Sequence, residues 1–355
     1  MFCLRLTAYG LRLTAYGTTL LRMKAITYTA AGDTDVIQLR EVPTPEPEPG
    51  QIRVRVHAAG LNRADMHQRR GRYPAPPGWP ADIPGMEYAG EVEQLGVGVT
   101  RWRIGDRVMG LVGGGAHAEF VVVHQDETLS IPDGMSFTDA AAIPEAFLTA
   151  WDALVTRGRL GPGDRVLVHA VASGVGTAAT QIAKQLGAVT IGTSRNAAKL
   201  TRAREYGLDR GIDTSAGPFR TALTEPVQVI LDVLGGPAFA DNLAVLAPRG
   251  RLVMLGFLQG AETQANLDPI LRKRLEVIGT VMRTRPLAER VPLVREFTER
   301  VLPLFSVSPN RRTVEPPTLR PVVGTTYPMS AMADAHRAME RDETFGKVVL
   351  FWSKE

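Results

Sequence analysis

Cysteine and long apolar runs are nearly missing from this sequence of 355 residues. Its one cysteine, Cys3, excludes a disulfide framework and any zinc site built from cysteines. A chain without disulfides is compatible with a reducing compartment, and we predict a cytoplasmic protein. No uninterrupted apolar stretch approaches the ~20 residues of a membrane-spanning helix, which excludes a membrane-embedded protein.

Lysines and dense basic clusters are also scarce. Only six of the 41 basic residues are lysines, and the formal net charge is +4. The one dense basic cluster is Arg272-Lys273-Arg274, which is typical of a solvated face, so we do not expect nucleic-acid binding. The hydrophobic share of 44% excludes wholesale disorder. The length suits two domains, at ~150 residues for each domain.

The first 22 residues are unusual because they contain a repeat. The seven residues from Leu4 to Gly10 recur unchanged from Leu11 to Gly17, in a segment with three arginines and no acid. This segment lacks the long apolar region of a secretory signal. We predict that residues 1–22 are a disordered extension or a start-site artefact, without which the net charge falls from +4 to +1.

Two changes of pattern divide the rest of the chain. From Met23 to about Ala142, short apolar runs punctuated by Gly and Pro predict a compact, largely β unit. From about Pro144 to Arg283, alternating strand and helix patterns predict βαβ units around a parallel sheet, so the fold class is α/β. The remainder predicts a helix over 287–305, a loose stretch over 306–317, a helix over 331–341 and a strand over 347–352.

A dinucleotide-binding fingerprint lies early in the α/β part. The apolar run 164–170 predicts a buried strand, and residues 174–179 match Gly-x-Gly-x-x-Ala. The first glycine allows a tight turn, the second lets the backbone approach a pyrophosphate, and the small third residue lets the helix meet the strand. The following apolar stripe predicts a helix that ends at Gly187 and whose N-terminal amides face the phosphates. The predicted phosphate contacts are Ser173, Gly174, Val175 and Gly176.

The end of the second α/β strand distinguishes between coenzymes. The strand 188–193 runs into Ser194 and Arg195, where an NAD site usually has an acid that binds the ribose 2′-hydroxyl. The Ser194 hydroxyl, the Arg195 guanidinium and nearby Lys199 suit a 2′-phosphate instead, so we predict NADPH as the coenzyme. The alternative is that Arg195 and Lys199 are ordinary surface charges on a loop.

Motifs for other chemistries are missing. The sequence has no Gly-x-Ser-x-Gly, His-Glu-x-x-His or Walker-type lysine loop that would support hydrolysis or phosphoryl transfer. His169, in the first α/β strand, is predicted to be a hydrogen-bonded interior histidine rather than a base. His117 and His124 are too isolated to indicate a ligand set.

Three blocks of sequence carry a family resemblance. They are Asn62-Arg63-Ala64-Asp65 with Arg69 to Tyr73, residues 141–150 and residues 169–181. Together they resemble the zinc-independent quinone oxidoreductases of the medium-chain dehydrogenase/reductase superfamily, which include the ζ-crystallin-like enzymes, and above all the tumour-suppressor-inducible branch. The resemblance covers residues 23–352. It implies a GroES-like, mainly-β catalytic domain (23–145 with 287–355) and an inserted Rossmann domain (146–286).

The residues at the positions of the family's zinc ligands do not suit zinc. Zinc-dependent relatives have an early cysteine and a Gly-His-Glu motif, whereas this chain has Asn62 and Gly85-Met86-Glu87. An amide and a thioether do not build a stable zinc site. Without a Lewis acid, alcohol oxidation is disfavoured, and an easily reduced acceptor such as a quinone or a polarised C=C bond is favoured.

The resemblance also implies the acceptor site and the remaining coenzyme contacts. It places Asn62 and Tyr73 at the acceptor, with Asp65 in the same motif. Alternatively, Tyr73 packs at a loop tip and Asp65 holds the local loop. Further coenzyme contacts are expected at Thr149 and at Gly256-Phe257-Leu258, where Phe257 is interpreted as core or cleft wall.

The implied activity is transfer of reducing equivalents from NADPH to a quinone or another small electrophilic acceptor. One alternative is a reductase for enones, enals or enoyl thioesters with the same fold. Another alternative is a non-catalytic protein that binds NADPH or RNA, a role that the resemblance to crystallin-like relatives also allows. The resemblance further suggests a homodimer formed through the edge strand near 277–282.

Overall fold

The computed structural model describes residues 21–305 and 318–353. The loose stretch predicted over 306–317 and residues 1–20 of the predicted N-terminal extension lie outside the described residues. The described strands form sheets of two, six and seven strands. Within those ranges, every helix is too short or too polar to cross a bilayer.

The first part of the chain is mostly β-structure, as predicted. Along its longest strand the side chains of Ile52, Val54 and Val56 are buried, whereas Arg55 is exposed. This alternation places one face of the strand in a core. The strands are β1 Arg22–Tyr28, β2 Ile37–Pro43, β3 Gln51–Leu61, β4 Glu87–Leu95, β5 Arg107–Leu111, β6 Phe120–His124 and β7 Thr128–Ser130. The helices are α1 Arg63–Arg69, α2 Phe137–Ala140 and α3 Pro144–Trp151, which continues as a π-helical turn, Asp152–Arg157.

The middle of the chain alternates strand and helix, also as predicted. The strands are β8 Arg165–Val168, β9 Val189–Ser194, β10 Arg210–Asp213, β11 Val227–Asp232, β12 Leu246–Met254 and β13 Glu276–Gly279. The helices are α4 Gly174–Gln185, α5 Ala197–Ala203, α6 Phe219–Ala222, α7 Gly236–Val245 and α8 Asp268–Lys273.

The last part of the chain adds two helices and two strands. They are α9 Leu287–Arg300, β14 Val323–Pro328, α10 Met332–Glu340 and β15 Lys347–Phe351. The prediction of one helix over 287–305 is wrong at its end. α9 stops at Arg300 and a separate 3-10 turn covers Leu302–Phe305.

The six-stranded sheet is entirely parallel, with the order β10-β9-β8-β11-β12-β13. The chain builds outward from β8 in one direction as far as β10, and then crosses to β11 on the other side. Ligands of such sheets bind at the carboxyl ends of the strands, where the strand order reverses. The topology therefore locates a binding crevice at the ends of β8 and β11.

The seven-stranded sheet joins strands β3 to β7 of the first part of the chain to β14 and β15 of the last part. Its order is β14-β15-β3-β4-β5-β7, and β6 also pairs with β3. β15 is antiparallel to β3 and pairs Val348 with Leu61, which brings Lys347 next to the start of α1. Just before β15, the Gly346 amide donates to the Ala172 carbonyl at 2.8 Å. The final segment thus contacts the turn between β8 and α4 and links the two sheets.

Candidate functional site

The turn between β8 and α4 has the local structure of a phosphate-binding loop. α4 begins at Gly174, and the Ser173 Oγ caps it by accepting from the Gly176 amide at 3.0 Å. The cap uses one of the helix's unpaired amides, and the parallel bridge between Ser173 and Gly346 engages the Gly174 amide, so by helix geometry the amide of Val175 remains available. Gly187 follows the helix with φ 76°, which confirms the predicted left-handed end.

The two fingerprint glycines are both packed too closely to accommodate a Cβ. Gly174 does not adopt a left-handed φ, and the left-handed residue of the turn is Ala170, with φ 48°. A Cβ on Gly174 would collide with the side chain of Lys347. A Cβ on Gly176 would lie 2.6 Å from the Ala170 carbonyl oxygen. Both glycines are needed because other parts of the protein pack directly against the helix start.

Three basic side chains meet beyond the end of β9. Arg195 follows β9 and pairs through its Nη2 with Oδ2 of Asp342, while Arg63 Nη2 donates to Oδ1 of the same carboxylate. Lys199 Nζ donates to the Asp342 backbone carbonyl. Ser194 ends β9 beside them, and its Oγ accepts from the Asn196 amide at 3.2 Å. The predicted residues Ser194, Arg195 and Lys199 therefore do lie together.

The electrostatics of this group reflect its excess of positive charge. The pKa of Lys199 is lowered, first by burial and then by the neighbouring Arg63 and Arg195, while Asp342 opposes the shift. One carboxylate faces three cations, so the group carries excess positive charge that can bind a further anion. We refer to Arg63, Arg195, Lys199 and Asp342 as the cation cluster.

A buried ion pair lies between α1 and the end of the chain. Lys347 Nζ donates to Glu87 Oε1 and, at 2.6 Å, to the amide oxygen of Asn62. Asn62 Nδ2 donates to the same Glu87 oxygen at 2.9 Å. The other Glu87 oxygen accepts from the Glu145 amide at 2.8 Å. The side chains of Lys347 and Glu87 are only 5% and 0% exposed, so the pair is fully enclosed by protein.

Asp65 organises the loop that carries Asn62. Its carboxylate is fully buried, and it accepts from the amides of Asn62 at 2.8 Å and Gly85 at 3.1 Å. These bonds complete a capping box at the start of α1. The arrangement agrees with the alternative that Asp65 holds the local loop. Buried His117 contacts the same region, where its Nε2 donates to the Gly60 carbonyl oxygen at 3.2 Å.

Glu145 on α3 adds a titratable group to this region. Burial raises the pKa of Glu145 to about 7, nearby Lys347 opposes the rise, and the carboxylates of Glu87 and Asp65 add to it. The hydroxyl of Thr149, one helical turn along, donates to Glu145 Oε1 at 3.5 Å. Thr149 is buried on α3, and this bond directs its hydroxyl toward Glu145.

Tyr73 lies in the loop after α1 and is tied to α1 by a buried arginine. Arg283 donates to the Tyr73 carbonyl at 3.1 Å, to Gln68 Oε1 at 2.7 Å and to the Gly113 carbonyl at 2.6 Å. Its guanidinium also lies 5.1 Å from the centre of the Tyr73 ring. Burial raises the pKa of Tyr73, so its hydroxyl stays protonated at neutral pH. Arg283 therefore holds both the backbone and the ring of Tyr73, which agrees with the alternative that Tyr73 packs at the loop tip, while its role at the acceptor stays a prediction.

The segment Gly256-Phe257-Leu258 follows β12 at the carboxyl edge of the parallel sheet. The Leu258 amide donates to the Val233 carbonyl at 2.9 Å, which fixes the segment beside the loop after β11. Phe257 is 53% exposed, so the interpretation of Phe257 as a core residue is wrong. The other interpretation of Phe257, as a wall of the crevice, stays a prediction.

His169 is interior and hydrogen-bonded, as predicted. It is fully buried, with Nδ1 at 2.9 Å from Thr193 Oγ1 and Nε2 at 2.8 Å from Asn242 Oδ1. Burial lowers the pKa of His169 to about 4, so the ring is neutral. It ties β8 to β9 and α7 rather than serving as a base.

Sequence reasoning missed several residues of these groups. A lysine opening the otherwise apolar run 347–352 was a signal for a buried partner, because lysine is rarely fully buried unless paired. The acidic residue of Gly85-Met86-Glu87 is that partner. Nothing local marks Asp342, whose partners lie 147 and 279 positions away.

In the part of the chain that the structure describes, no three His, Cys, Asp or Glu side chains are grouped so as to hold a metal ion.

Comparison with known proteins places these features in a family. Residues 48–133 match the alcohol dehydrogenase GroES-like domain, and residues 174–300 match the zinc-binding dehydrogenase domain. A quinone oxidoreductase of Pseudomonas aeruginosa is 34% identical over 92% of this chain and 99% of its own length.

Two solved structures have the same fold. The Escherichia coli quinone oxidoreductase complexed with NADPH has a TM-score of 0.79 and 28% identity, covering 92% of this chain and 99% of that one. The CurK enoyl reductase has a TM-score of 0.76 and 26% identity, covering 93% and 99%. The fold thus combines a GroES-like domain with a dinucleotide-binding domain. This chain belongs to the medium-chain dehydrogenase/reductase superfamily of oxidoreductases, alongside its quinone oxidoreductases.

Proposed function

We propose that the protein is an NADPH-dependent quinone oxidoreductase that works without zinc. The observation that carries this proposal is the cation cluster at the end of β9. An NAD site has an acid at the end of this strand, whereas here Ser194 is followed by Arg195, with Lys199 and Arg63 in reach. Three cations and a hydroxyl suit a phosphorylated ribose.

The residues around the crevice fit a nicotinamide dinucleotide. The turn 173–176, with the first-turn amide of Val175, would hold the pyrophosphate, and Arg195 and Lys199 would hold the 2′-phosphate. Thr149 and the segment 256–258 would line the rest of the crevice. When bound, the reduced nicotinamide supplies a hydride. The likeness to a quinone oxidoreductase complexed with NADPH supports this choice of coenzyme.

The residues at the cleft do not fit zinc. The Asn62 amide oxygen and the Glu87 carboxylate already hold the ammonium of Lys347, and Met86 is buried nearby. The Lys347 ammonium therefore occupies the position that a metal cation would take. It stabilises the Asn62 and Glu87 oxygens without a metal. We therefore route no step through zinc, and we favour an acceptor that is reduced easily, such as a quinone.

The protein's own groups would position and protonate the acceptor. The hydroxyl of Tyr73, protonated at neutral pH, can donate to a quinone oxygen. Arg283 fixes the loop that presents it. The nitrogen and the oxygen of the Asn62 side-chain amide are both hydrogen-bonded, to Glu87 and to Lys347. Asn62 would therefore act by positioning these two side chains. Glu145, with a pKa of about 7, exchanges a proton near neutral pH at the same part of the cleft.

A second candidate function is reduction of a polarised C=C bond. The CurK enoyl reductase shares the fold over almost the whole chain, which supports it. Both reactions use the same coenzyme site and differ in the acceptor.

The protein would also form a homodimer in this proposal, since β13 is an edge strand with Val277 41% and Val281 44% exposed.

The test is steady-state NADPH oxidation by the purified protein with 1,2-naphthoquinone and with an α,β-unsaturated ketone, together with metal analysis of the same sample. The proposal predicts turnover with the quinone and substoichiometric zinc. Faster turnover of the ketone would favour the second candidate. Stoichiometric zinc, or no oxidation with either acceptor, would refute the proposed function.

A further inference from the structure

Asp342 occupies the centre of the cation cluster. It lies two residues after the end of α10, and its two carboxylate oxygens accept from one guanidinium each, those of Arg63 and Arg195. Lys199 Nζ binds its backbone carbonyl. Arg63 and Asp342 belong to the part of the chain that forms the seven-stranded sheet. Arg195 and Lys199 follow β9, which belongs to the six-stranded sheet. One aspartate thus joins the two parts of the protein at the predicted 2′-phosphate site.

We propose that Asp342 is an internal competitor of the coenzyme's 2′-phosphate. In the absence of coenzyme its carboxylate pairs with the guanidinium groups that the phosphate needs. Binding of NADPH displaces it, and so releases an ion-pair contact between the two sheets. This inference rests on the proposed use of NADPH and adds a residue that sets the affinity for it.

The relative strength of the two anions supports displacement. A phosphate monoester carries a charge of roughly −1.5 to −2 and three acceptor oxygens, whereas a carboxylate carries one charge and two oxygens. The side chains of Asp342, Arg63 and Arg195 are 42%, 40% and 70% exposed. Ion pairs as exposed as these are weak, so the phosphate can replace the carboxylate.

The neighbouring charges do not perform the same role. Glu343, the next residue, turns away and pairs with Arg341 at 2.7 Å in an exposed position. Glu340, at the end of α10, pairs with Arg69 at 2.6 Å and Arg70 at 2.8 Å. Among these acids of the α10–β15 turn, only Asp342 has its carboxylate paired with Arg195.

The backbone at Asp342 permits a conservative test. Its φ is 54°, in the left-handed region that follows many helices, and Asn adopts this conformation at least as readily as Asp. Asp342→Asn therefore keeps the turn and removes only the charge. Glu343→Gln is a matched control, since it removes the same charge one residue away.

The experiment measures the dissociation constants of NADPH and NADH for the full chain, as wild type, Asp342→Asn and Glu343→Gln, at one fixed ionic strength. We expect Asp342→Asn to tighten NADPH binding by about tenfold, while NADH changes by less than about twofold. Glu343→Gln should leave both constants near the wild-type values. Adenosine 2′-monophosphate should gain from Asp342→Asn as NADPH does, and adenosine 5′-monophosphate should not.

Four results would overturn the inference. Asp342→Asn that weakens NADPH binding, or leaves it unchanged, shows that the carboxylate does not compete. An equal gain for NADH shows a general charge effect, as would an equal gain from Glu343→Gln. If wild type binds NADPH and reduces a quinone but Asp342→Asn does not bind NADPH more tightly, this inference is refuted and the proposed function is not. A wild-type protein that binds neither dinucleotide overturns both this inference and the proposed function.

Discussion

Replacing Lys347 by methionine tests whether the enclosed ion pair holds the catalytic cleft together. Methionine keeps the unbranched shape that packs against Gly174, but removes the ammonium. Glu87 is left with a buried carboxylate, and the Asn62 amide oxygen loses its donor at 2.6 Å. The change therefore isolates the charge from the packing.

The expected loss of stability follows from burial. The two side chains are 5% and 0% exposed, so the remaining carboxylate cannot regain water. Removing one partner of such a pair costs about 3–5 kcal/mol, because an uncompensated charge stays buried. Combining Lys347→Met with Glu87→Gln removes the charge as well, and the double variant should recover about 1–3 kcal/mol relative to the sum of the two single changes.

The assay is urea unfolding at pH 7.5, followed by circular dichroism and by tryptophan fluorescence, with both signals required to coincide. The control is Lys184→Met, because Lys184 pairs with Asp209 at side-chain exposures of 52% and 34%. That pair should contribute no more than ~1 kcal/mol. If Lys347→Met costs as little as the control, or if the two changes simply add, the enclosed pair does not stabilise the cleft.

Three further variants test separate parts of the site. Glu145→Gln should gain stability relative to wild type as pH rises from 4.5, the ordinary pKa, to about 7. Over that range unfolded wild type loses the Glu145 proton while folded wild type retains it, so the stability of wild type falls with rising pH and that of the Gln variant does not. A pH-independent difference in urea titrations would contradict the raised pKa. Gly176→Ala should cost about 1–3 kcal/mol, since its Cβ would lie 2.6 Å from a backbone oxygen. Gly161→Ala, whose Cβ meets nothing nearer than 3.9 Å, should be near neutral, and equal effects would contradict the packing argument. Tyr73→Phe should lower kcat with the quinone by about tenfold and leave the NADPH dissociation constant unchanged. An unchanged kcat would show that the hydroxyl does not act on the acceptor.

The parts of the fold that local patterns determine could be predicted from the sequence. The apolar run at β8, the stripe of α4 and the glycine at 187 depend on neighbours within a few residues, and the structure confirms each of them. The steric requirement for glycine at position 174 could not be predicted, because it comes from the side chain of Lys347. That contact spans nearly half of the chain and leaves no local pattern.

The coenzyme edge illustrates the same division. Ser194, Arg195 and Lys199 follow one strand, so a fingerprint with a fixed spacing finds them. Arg63 and Asp342 join them only because β15 pairs with β3 and because α10 ends against α5. The domain boundaries 23–145 with 287–355 and 146–286 stay predictions, as do the roles of Asn62, Asp65 and Thr149.

The most direct measurement is the ratio of the NADH and NADPH dissociation constants for wild type and for Arg195→Ala. A charge-assisted hydrogen bond contributes ~1.5–3 kcal/mol, so wild type should prefer NADPH by roughly ten- to a hundredfold. The ratio should fall toward one in Arg195→Ala. Equal affinities in wild type, or a preference that survives the substitution unchanged, would contradict the account.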